Sequence, residues 1–496
     1  MSGQGREHRS EERARSGAPR GSEWGTVEQS YDVVVLGAGS TGENVADIVV
    51  RGGLSAVLVE SELVGGECSY WACMPSKALL RGTEVLAEAR SVGGAAQAVT
   101  GTQDVEATLA RRNTFTSNWD DSGQVTWVHG AGIDLIRGAG RLDGERTVVV
   151  TAADGTETRL TARHAVAVCT GSDAAVPPIP GLREIAPWTP REATSAKAVP
   201  GRLLIVGGGV VGCEMATAWR GLGAEVTLLE QGARLLPPLE PAAGEAVAAA
   251  LREAGVDVRL DTGVTAARRE GTEVVLEIGD DEVRGDEVLV AVGRRARTTE
   301  IGVDTVGLEP GKYLDVDDTL QVTGRPWLYG VGDVNGRRQL THMGKYQARQ
   351  AGAAIAARAR GEEPDTSAWS PHVATADAVA TPSVVFTSPQ VASVGRTVAE
   401  AEKAGLPHRV VEYPIGKVSG AGLFADGYTG TAIAVIDTER EVLLGMTLIG
   451  PAVAEMLQAA TIAVVGEVPI SRLWHAVPAY PTINEIWLRL LETYRG

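Results

Sequence analysis

The sequence predicts an α/β protein with two doubly wound, parallel-sheet units and a smaller α+β domain in its C-terminal part. Two apolar strands lead into glycine-rich turns, at Gly37 and at Gly207, and a helical stretch follows each turn. A second apolar strand comes after each helix and ends on an acid. Continuous apolar runs are typical of strands buried on both faces of a parallel sheet. From Ser383 the pattern changes to shorter strands followed by helices, which indicates a compact α+β domain.

The composition of the 496-residue chain is that of a globular protein with several domains. Its net charge of −17 argues against nucleic acid or an anionic membrane as a partner. No apolar run reaches the ~18 residues of a membrane span. Four cysteines are too few for a secreted disulfide framework, so we expect a cytoplasmic protein. Residues 1–29 are polar and contain no signal-peptide core, and we expect a disordered leader there.

The first glycine-rich turn has the complete pattern of a dinucleotide-binding site. Strand 32–36 leads into Gly37, Gly39 and Gly42, a helix follows, and the next strand ends on Glu60. In this pattern the first glycine makes the tight turn, the second lets the backbone reach the pyrophosphate and the third allows close helix packing. Glu60, about twenty residues downstream, can accept hydrogen bonds from the ribose hydroxyls. We therefore predict a bound dinucleotide here.

The second turn repeats the pattern with Gly207, Gly209 and Gly212, and its second strand ends on Glu230. Two such patterns about 170 residues apart indicate two separate nucleotide domains rather than one. A carboxylate at position 230 favours a free ribose 2′-hydroxyl and repels a 2′-phosphate, so NAD(H) is preferred over NADP(H). Arg234 follows closely enough in sequence to leave NADP(H) open.

Two cysteines, Cys68 and Cys73, stand immediately before a predicted helix. A disulfide requires Cα atoms within about 7 Å, so the first helical turn must be distorted, and the glycine pair at 65–66 would permit this. The helix dipole would lower the pKa of both thiols, and Lys77 adds a cation on the helical face of Cys73. Spacing alone leaves a structural or accidental pair open. The dinucleotide pattern that ends at Glu60 favours a redox pair.

Composition and turn signals divide the rest of the chain. The proline-rich crossing 177–181 separates the two units, and Cys169 and Cys213 are most simply core residues. No metal site is predicted. The predicted domains are 30–175 for the first unit, 176–295 for the second, 296–378 for a return to the first, and 379–496 for the C-terminal domain.

These motifs, in this order, resemble the two-cysteine pyridine nucleotide–disulfide oxidoreductases, which include dihydrolipoyl dehydrogenase, glutathione reductase and mercuric reductase. The resemblance extends from about residue 31 to the C-terminus. It implies two Rossmann-like domains that bind FAD and NAD, a C-terminal dimerisation domain and a homodimer. The matching motifs beyond the glycine-rich turns are Gly65–Lys77, Thr170–Ser172, Gly293–Arg294, Val331–Asp333, Thr387–Gly395 and Gly445–Pro451.

The resemblance also implies roles for individual residues. Hydride from the nicotinamide would reach the flavin, and electrons would pass to the Cys68–Cys73 disulfide. Cys73 would be the flavin-side thiol, and Cys68 would exchange with substrate. Lys77 and Glu214 would form an ion pair at the flavin edge, with two solvated helix charges as the alternative. The further cofactor contacts implied are Asp333 on the ribitol or pyrophosphate, Gln339, Leu340, Thr341 and His342 at a helix start, Gly140 against the adenine, and Thr170, Gly171 and Gly293 in turns.

The chain departs from the family at the His-Pro-Thr-x-x-Glu pattern near the C-terminus. Glu485 keeps the acid, but Tyr480 occupies the position of the base. A tyrosine with a pKa of about 10 is roughly 0.1% ionised at pH 7, whereas a histidine titrates near neutrality. His475 is an alternative base. The aromatic pair Tyr70–Trp71 between the cysteines either shapes a site for a flat acceptor or packs internally.

The resemblance therefore implies an FAD-dependent NAD(P)H:disulfide oxidoreductase that acts on a low-molecular-weight disulfide or dithiol, as dihydrolipoyl dehydrogenase does. Two alternatives remain open at this point. The first is a reductase of a quinone or a metal ion, similar to mercuric reductase, for which the missing histidine matters less. The second is a flavoprotein redox sensor without turnover.

Overall fold

The computed structural model describes residues 27–496. Its first strand begins at Val27, and residues 27–30 pair with residues 158–161 of a neighbouring strand. The prediction of a leader through residue 29 is therefore wrong for residues 27–29, whose backbone hydrogen bonds extend the sheet beyond its apolar part. The remainder of the predicted leader, 1–26, lies outside the described residues.

The first unit is built on a mixed sheet with a parallel core. Its apolar strands are buried on both faces, and Val33, Val34 and Val35 are fully inaccessible. The strands are β1 (Val27–Leu36), β2 (Ala56–Glu60), β3 (Asp134–Arg137), β4 (Ala139–Leu142), β5 (Thr147–Thr151) and β6 (Glu157–Val168). The helices are α1 (Ser40–Arg51), α2 (Gly66–Tyr70), α3 (Cys73–Arg90), α4 (Val105–Phe115) and α5 (Ser122–Gly130). The strand order is β3-β2-β1-β6-β5-β4, with β3, β2, β1 and β6 parallel.

The second unit contains a four-stranded parallel sheet of order β10-β9-β8-β14 and a three-stranded antiparallel sheet of order β11-β12-β13. Two short strands, β7 and β15, pair antiparallel where the chain crosses into this unit and back. The elements are β7 (Ser172–Ala174), α6 (Pro190–Ser195), β8 (Arg202–Val206), α7 (Val210–Gly221), β9 (Glu225–Leu229), α8 (Pro241–Glu253), β10 (Asp257–Arg259), β11 (Ala266–Glu270), β12 (Glu273–Ile278), β13 (Asp281–Gly285), β14 (Glu287–Val290) and β15 (Arg294–Ala296).

The chain then returns to the first unit. Strand β16 (Leu328–Gly330) pairs in parallel with the C-terminal half of β6, and helix α9 (Thr341–Ala359) packs against α1. Because β16 completes the first sheet, one core contains residues from both parts of the chain, for example Val35 and Tyr329.

The C-terminal domain is a five-stranded antiparallel sheet with helices packed against it. Its sheet order is β17-β18-β21-β20-β19. The elements are α10 (Ala376–Val379), β17 (Ser383–Val385), β18 (Gln390–Gly395), α11 (Val398–Lys403), β19 (His408–Pro414), α12 (Ser419–Phe424), β20 (Thr431–Asp437), β21 (Val442–Gly450), α13 (Leu457–Val465), α14 (Ile470–Leu473) and α15 (Ile486–Arg495). The predicted fold class, two α/β units followed by an α+β domain, is confirmed. Across residues 27–496, none of the helices has the length and apolarity that crossing a bilayer requires.

Candidate redox and dinucleotide site

A cavity of about 400 Å³ lies at the carboxyl ends of β1, β2 and β6. Crevices at this edge of a parallel sheet are where doubly wound folds bind their ligands. The cavity brings together residues that the sequence analysis named in separate motifs. Those that line it are Gly37, Gly39, Glu60, Cys68, Gly140, Thr170, Gly171, Asp333 and Thr341.

The glycine-rich turn leaves no room for side chains where the pattern predicts none. Gly37 has φ +94°, and an added Cβ would lie 2.6 Å from the carbonyl oxygen of Cys169. A Cβ on Gly42 would lie 1.9 Å from the carbonyl oxygen of Gly37, which is the close packing predicted for the third glycine. Helix α1 therefore begins at Ser40 with its N-terminus directed at the cavity, an arrangement suited to a pyrophosphate.

Two carboxylates that line this cavity are held in place by hydrogen bonds. Glu60 accepts hydrogen bonds from the backbone N–H groups of Ala38, at 2.7 Å, and Glu62, at 2.8 Å. Asp333 accepts a hydrogen bond from the Ser172 hydroxyl at 2.6 Å. Both side chains are oriented by neighbours within the chain and face the space where a dinucleotide would lie.

Three of the four residues predicted at the start of α9 do not line the cavity. Gln339 donates a hydrogen bond to the Tyr313 hydroxyl at 3.0 Å, and Leu340 precedes the helix. His342 places Nε2 2.8 Å from the carbonyl oxygen of Pro382. Thr341, the first residue of α9, alone of this group lines the cavity, whereas Gln339 and Leu340 precede the helix. The expected flavin contacts of the other three therefore lack support in the geometry.

The two cysteines lie on different helices. Cys68 is in α2, Cys73 begins α3, and the break falls at Trp71–Ala72, where Ala72 has φ −128° and ψ −96°. The predicted distortion of the first turn is thus present. Both cysteines are free thiols in this structure, and Cys73 Sγ lies 3.3 Å from the Thr341 hydroxyl. The pair is set at the junction of the cavity, α3 and α9.

The two thiols have opposite acidities. A hydrogen bond from Cys68 is the main cause that lowers the pKa of Cys73 to about 6, with Thr341 and the charge of Lys77 also contributing. The same hydrogen bond, together with burial, raises the pKa of Cys68 above its ordinary value. The prediction that the pKa of both thiols is lowered is therefore wrong for Cys68, because two adjacent sulfurs share one negative charge.

The predicted ion pair between Lys77 and Glu214 is present, with 2.7 Å between Nζ and Oε2. The Glu214 side chain is 4% exposed and that of Lys77 is 36% exposed, so the alternative of two solvated charges is wrong. The backbone N–H of Phe386 donates to the second oxygen of Glu214 at 3.0 Å, and Lys77 Nζ lies 4.9 Å from the Phe386 ring centroid. Three domains meet at this pair.

The second glycine-rich turn repeats the geometry of the first. Gly207 has φ +110°, Gly209 precedes α7, and a Cβ on Gly212 would lie 1.9 Å from the carbonyl oxygen of Gly207. Glu230 accepts hydrogen bonds from the N–H groups of Gly208 and Gly232, each at 2.6 Å.

Two further residues named for the second site, Arg234 and Gly293, have backbone partners elsewhere in the chain. Arg234 donates to the carbonyl oxygens of Pro237 and Leu239, at 2.6 and 3.0 Å, which holds its guanidinium on the loop. Gly293 has φ +144°, and its carbonyl oxygen accepts a hydrogen bond from Ala175 at 2.9 Å. Gly293 thus lies where the chain leaves the second unit.

Arg191 is a site residue that the sequence analysis missed. It lines the cavity from α6, donates to both carboxylate oxygens of Glu62, at 2.9 and 2.7 Å, and pairs with Glu67. Its guanidinium lies 4.2 Å above the Trp71 ring. A capping box begins α6 at Thr189, and this pattern is readable in the sequence. The sequence does not reveal the partners of Arg191, which lie more than a hundred residues away along the chain.

The two aromatic residues between the cysteines, Tyr70 and Trp71, have different surroundings. Tyr70 is buried and donates its hydroxyl to the carbonyl oxygen of Val64 at 3.1 Å. The carbonyl oxygens of Tyr70 and Trp71 accept hydrogen bonds from Trp119, at 3.2 Å, and Thr194, at 2.8 Å. These contacts hold the break between α2 and α3 in place. The internal-packing alternative therefore describes Tyr70, whereas the half-buried Trp71 ring lies against Arg191, which lines the cavity.

The C-terminal residues of the predicted catalytic set lie apart from the cavity. Tyr480 is 75% exposed and His475 is exposed, whereas Glu485 is buried and accepts a hydrogen bond from the N–H of Gly420 at 3.2 Å. Neither Tyr480 nor Glu485 lines the cavity of its own chain.

Comparison with known proteins identifies relatives across nearly the whole chain. The family model described as "Pyridine nucleotide-disulphide oxidoreductase" matches residues 31–352, and the model of the same family's dimerisation domain matches residues 381–490. Dihydrolipoyl dehydrogenase 3 of Pseudomonas aeruginosa is 32% identical over 92% of this chain and 96% of its own. Dihydrolipoyl dehydrogenase of Chlamydia trachomatis is 31% identical, covering 93% of this chain and 96% of its own.

One further relative and one solved structure of the same fold bear other names. Mercuric reductase of Acidithiobacillus ferrooxidans is 30% identical over 92% of this chain and 81% of its own. Among solved structures, the HOCl-induced flavoprotein disulfide reductase RclA of Escherichia coli superimposes with a TM-score of 0.79 at 23% identity, covering 93% of this chain and 99% of that one. The latter similarity shows a shared fold.

Proposed function

Because this chain belongs to the pyridine nucleotide-disulphide oxidoreductase family, we propose that it is an FAD-dependent NADH:disulfide oxidoreductase. Its substrate would be a low-molecular-weight disulfide or dithiol, as for dihydrolipoyl dehydrogenase. The observation that carries the proposal is the placement of the two cysteines: Cys68 lines the dinucleotide cavity, and Cys73 Sγ lies 3.3 Å from the hydroxyl of Thr341, which also lines it. The lowered pKa of Cys73 agrees with that placement. A thiol of low pKa beside a second thiol is the arrangement that disulfide exchange requires.

The cavity fits FAD. The N-terminus of α1 and the turn at Gly37–Gly39 would bind the pyrophosphate, Glu60 the ribose, and Asp333 the ribitol or pyrophosphate. Gly140 would lie beside the adenine, where an added Cβ would collide with Leu36 and Val59. When bound, FAD supplies the transfer of two electrons between nicotinamide and the disulfide.

The cysteines carry out the exchange. Two electrons and one proton reduce their disulfide to a Cys68 thiol and a Cys73 thiolate. After Cys68 loses its proton, its sulfur attacks the substrate disulfide, forming one S–S bond and breaking another. The substrate thiolate that leaves takes up a proton. Cys73 then attacks Cys68 of the mixed disulfide, which restores the Cys68–Cys73 disulfide and releases the second half of the substrate as a thiolate that takes up a proton from solvent.

Lys77 and Glu214 would maintain charge balance during these steps. The ammonium group favours the Cys73 thiolate, and the buried carboxylate of Glu214 holds Lys77 in position. The contact of Glu214 with the backbone of Phe386 ties this arrangement to the C-terminal domain.

NADH is the proposed nucleotide for the second site. The Glu230 carboxylate is held by two backbone N–H groups, where it would meet the ribose 2′-hydroxyl. Arg234 bonds to loop carbonyl oxygens, which leaves it poorly placed to neutralise a 2′-phosphate.

The active unit is proposed to be a homodimer. The family match includes the dimerisation domain, and this domain exposes large apolar side chains, including Leu423 at 71% and Val477 at 83%. A second copy that covers them would bring Tyr480 and Glu485 towards the partner's cysteines. The low cysteine count further supports a cytoplasmic location.

A metal-ion or quinone reductase is the second candidate. Tyr480 in place of a histidine favours it, because an exposed phenol is a poor general base at neutral pH. Mercuric reductases at about 30% identity are among the relatives.

One experiment separates the two candidates. The purified holoprotein is titrated anaerobically with NADH, and the reduced form is then mixed with lipoamide, other small disulfides, a quinone, Hg²⁺ or Cu²⁺. Multiple turnovers with a disulfide that disappear in Cys68→Ser support the first proposal. Turnover with only a quinone or metal ion overturns it, and quinone turnover that survives Cys68→Ser supports the second candidate.

A further inference from the structure

The break between α2 and α3 sets the separation of the two cysteines, because it connects the helix of Cys68 to the helix that begins at Cys73. Trp71 (φ −136°, ψ −2°) and Ala72 (φ −128°, ψ −96°) both leave helical geometry there. A disulfide tolerates only a narrow range of Cα separations, so the backbone of this break must be held for the pair to close.

Side chains from outside the two helices hold the carbonyl groups of this break. The indole N–H of Trp119 donates to the carbonyl oxygen of Tyr70 at 3.2 Å. The Thr194 hydroxyl lies 2.8 Å from the carbonyl oxygen of Trp71 and 2.9 Å from that of Pro190 in its own helix. Trp119 follows α4 and Thr194 lies in α6, so two separate parts of the chain meet at the break.

A strained turn carries Trp119 to this contact. Ser117, Asn118 and Trp119 have φ values of +49°, +52° and +57°, which places three consecutive residues in the left-handed region. This region is unfavourable for residues other than glycine, and they stay in it only where their surroundings hold them. The Trp119 N–H closes the turn by donating to the carbonyl oxygen of the buried Thr116 at 2.8 Å. The strain indicates that the position of Trp119 has a role beyond filling space.

Arg112 contacts both Trp119 and Thr194. Its guanidinium donates to the carbonyl oxygens of Thr194, at 2.5 Å, and Ala196, at 3.0 Å, and its Cζ lies 5.3 Å from the centroid of the Trp119 ring. Only 2% of Arg112 is exposed, and its Nε donates to the Asn113 side chain at 2.8 Å, so all three of its nitrogens bond to neutral oxygens. Burying a guanidinium without a carboxylate is costly, which indicates a role for these contacts. Arg112 thus holds together the two residues that contact the break.

We propose that Arg112, Trp119 and Thr194 position the Cys68–Cys73 pair by fixing the break between α2 and α3. They are positioning residues, because they act through the backbone of the break rather than on a sulfur. With the break fixed, each thiol meets the other at a high effective concentration, which favours the disulfide over two free thiols. The inference rests on the proposed function of this pair as the redox centre.

The step that this arrangement favours is a two-electron oxidation. With glutathione disulfide as the oxidant, Cys68 and Cys73 together lose two protons and two electrons and form one S–S bond, and the oxidant is cleaved to two molecules of glutathione. The equilibrium constant of this reaction reports how well the break holds the two sulfurs together. A residue with only a structural role changes the free energy of unfolding and leaves this constant unaltered.

The test uses the full-length holoprotein, without NADH, in glutathione buffers of known composition. The fraction of the Cys68–Cys73 disulfide is measured by alkylation of the remaining thiols and mass spectrometry. Trp119→Phe keeps an aromatic ring beside Arg112 and removes the N–H donor, and Thr194→Val keeps the shape and removes the hydroxyl. Each is expected to lower the equilibrium constant about three- to tenfold, the effect of one lost hydrogen bond, which makes the reduction potential up to about 30 mV more positive.

Further variants make the result decisive. Trp127→Phe, on the exposed surface of α5, is the matched control and is expected to leave the constant within about twofold. Arg112→Met is expected to match the double variant Trp119→Phe/Thr194→Val, because it removes the contacts that hold both side chains. A constant within about twofold of the unsubstituted protein in both Trp119→Phe and Thr194→Val overturns the proposal, whether or not these variants lose stability. These two single variants decide the proposal even where the buried substitution Arg112→Met prevents folding.

Failure of this inference is distinguishable from failure of the proposed function. A protein whose Cys68–Cys73 equilibrium shifts as expected, but which turns over no small disulfide, contradicts the proposed function and supports this inference. Turnover of a small disulfide together with unaltered constants in both single variants supports the proposed function and overturns this inference.

Discussion

Lys77 Nζ lies 2.7 Å from Glu214 Oε2, and this contact joins α3 of the first unit to α7 of the second. Glu214 has one further partner, the Phe386 N–H, so removing Lys77 leaves a buried carboxylate with a single hydrogen bond. We expect Lys77→Met to lower the free energy of unfolding by about 1–3 kcal/mol. Urea denaturation of the variant and the unsubstituted protein measures this difference in the free energy of unfolding.

The matched control for that variant is Arg81→Met, one turn later on α3. Arg81 pairs with Glu84 at 2.5 Å on the exposed surface. Loss of such a pair is expected to cost about 0.5 kcal/mol or less. If the two variants lose equal stability, the ion pair of Lys77 with Glu214 stabilises the fold no more than a surface pair does.

The two cysteines should titrate separately. In the reduced protein, thiolate absorbance should show one titration near pH 6, the pKa to which Cys73 is lowered, and the Cys73 thiolate should be lost as the pH falls through that value. Cys68 should remain a thiol beyond its ordinary pKa of about 8.5. Cys73→Ser should abolish the titration near pH 6, and Cys68→Ser should move that titration to higher pH. Two titrations near pH 8.5 would contradict this assignment.

Substitution of Tyr480 tests whether the protein lacks a general base at this position. Tyr480→His should raise the turnover of a small disulfide by about 10-fold or more and introduce a pH dependence near 6.5, because imidazole accepts a proton at neutral pH. Tyr480→Phe is the control. A change of less than about threefold in the control would show that the phenol is not the base, whereas a large loss would mean that it is.

Glu230 should determine the choice of nucleotide. Glu230→Gln keeps the shape but removes the charge that would repel a 2′-phosphate, so the ratio of kcat/KM for NADH over NADPH should fall about tenfold or more. Arg234→Gln should leave that ratio within about twofold, since its guanidinium is bonded to the loop. The ratio is measured from steady-state rates with each nucleotide. A preference that depends on Arg234 instead would refute the assignment.

Arg191 should support cofactor binding. Arg191→Leu leaves Glu62 and Glu67 without their shared cation at the rim of the cavity, where their charges would oppose a pyrophosphate. We expect FAD to bind about tenfold more weakly to the apoprotein, as measured by flavin fluorescence. Arg183→Leu, an exposed change in the same crossing, is the control and should bind FAD normally. Equal weakening in both variants would argue against a local charge effect.

Short sequence motifs predicted those parts of the site that neighbouring residues form. The turn at Gly37, the acid Glu60 and the distorted turn before Cys73 follow from neighbouring residues, because φ/ψ limits and helix geometry act over a few positions. The pair of Lys77 with Glu214, which are 137 residues apart, came from the family resemblance rather than from any local signal.

Features set by long-range geometry were missed or misjudged. Arg191 meets Glu62 across 129 residues of sequence, and an arginine before a capping acid carries no information about such a partner. The acidity of Cys68 depends on a hydrogen bond between two sulfurs, which spacing does not reveal. Residues 28–30 are exposed and polar, so their place in β1 follows from pairing with β6 rather than from their hydropathy.

The pairing of β16 with β6 has a consequence for how the protein is made. Val166 in β6 pairs with Leu328 in β16. The C-terminal half of β6 therefore lacks this strand partner until about 160 further residues have left the ribosome. At 5–20 residues per second this interval is roughly 8–32 s. The second unit, which lies wholly between the two strands, is synthesised and free to fold first. We therefore expect the newly synthesised chain to complete its second unit before the first unit can retain a flavin.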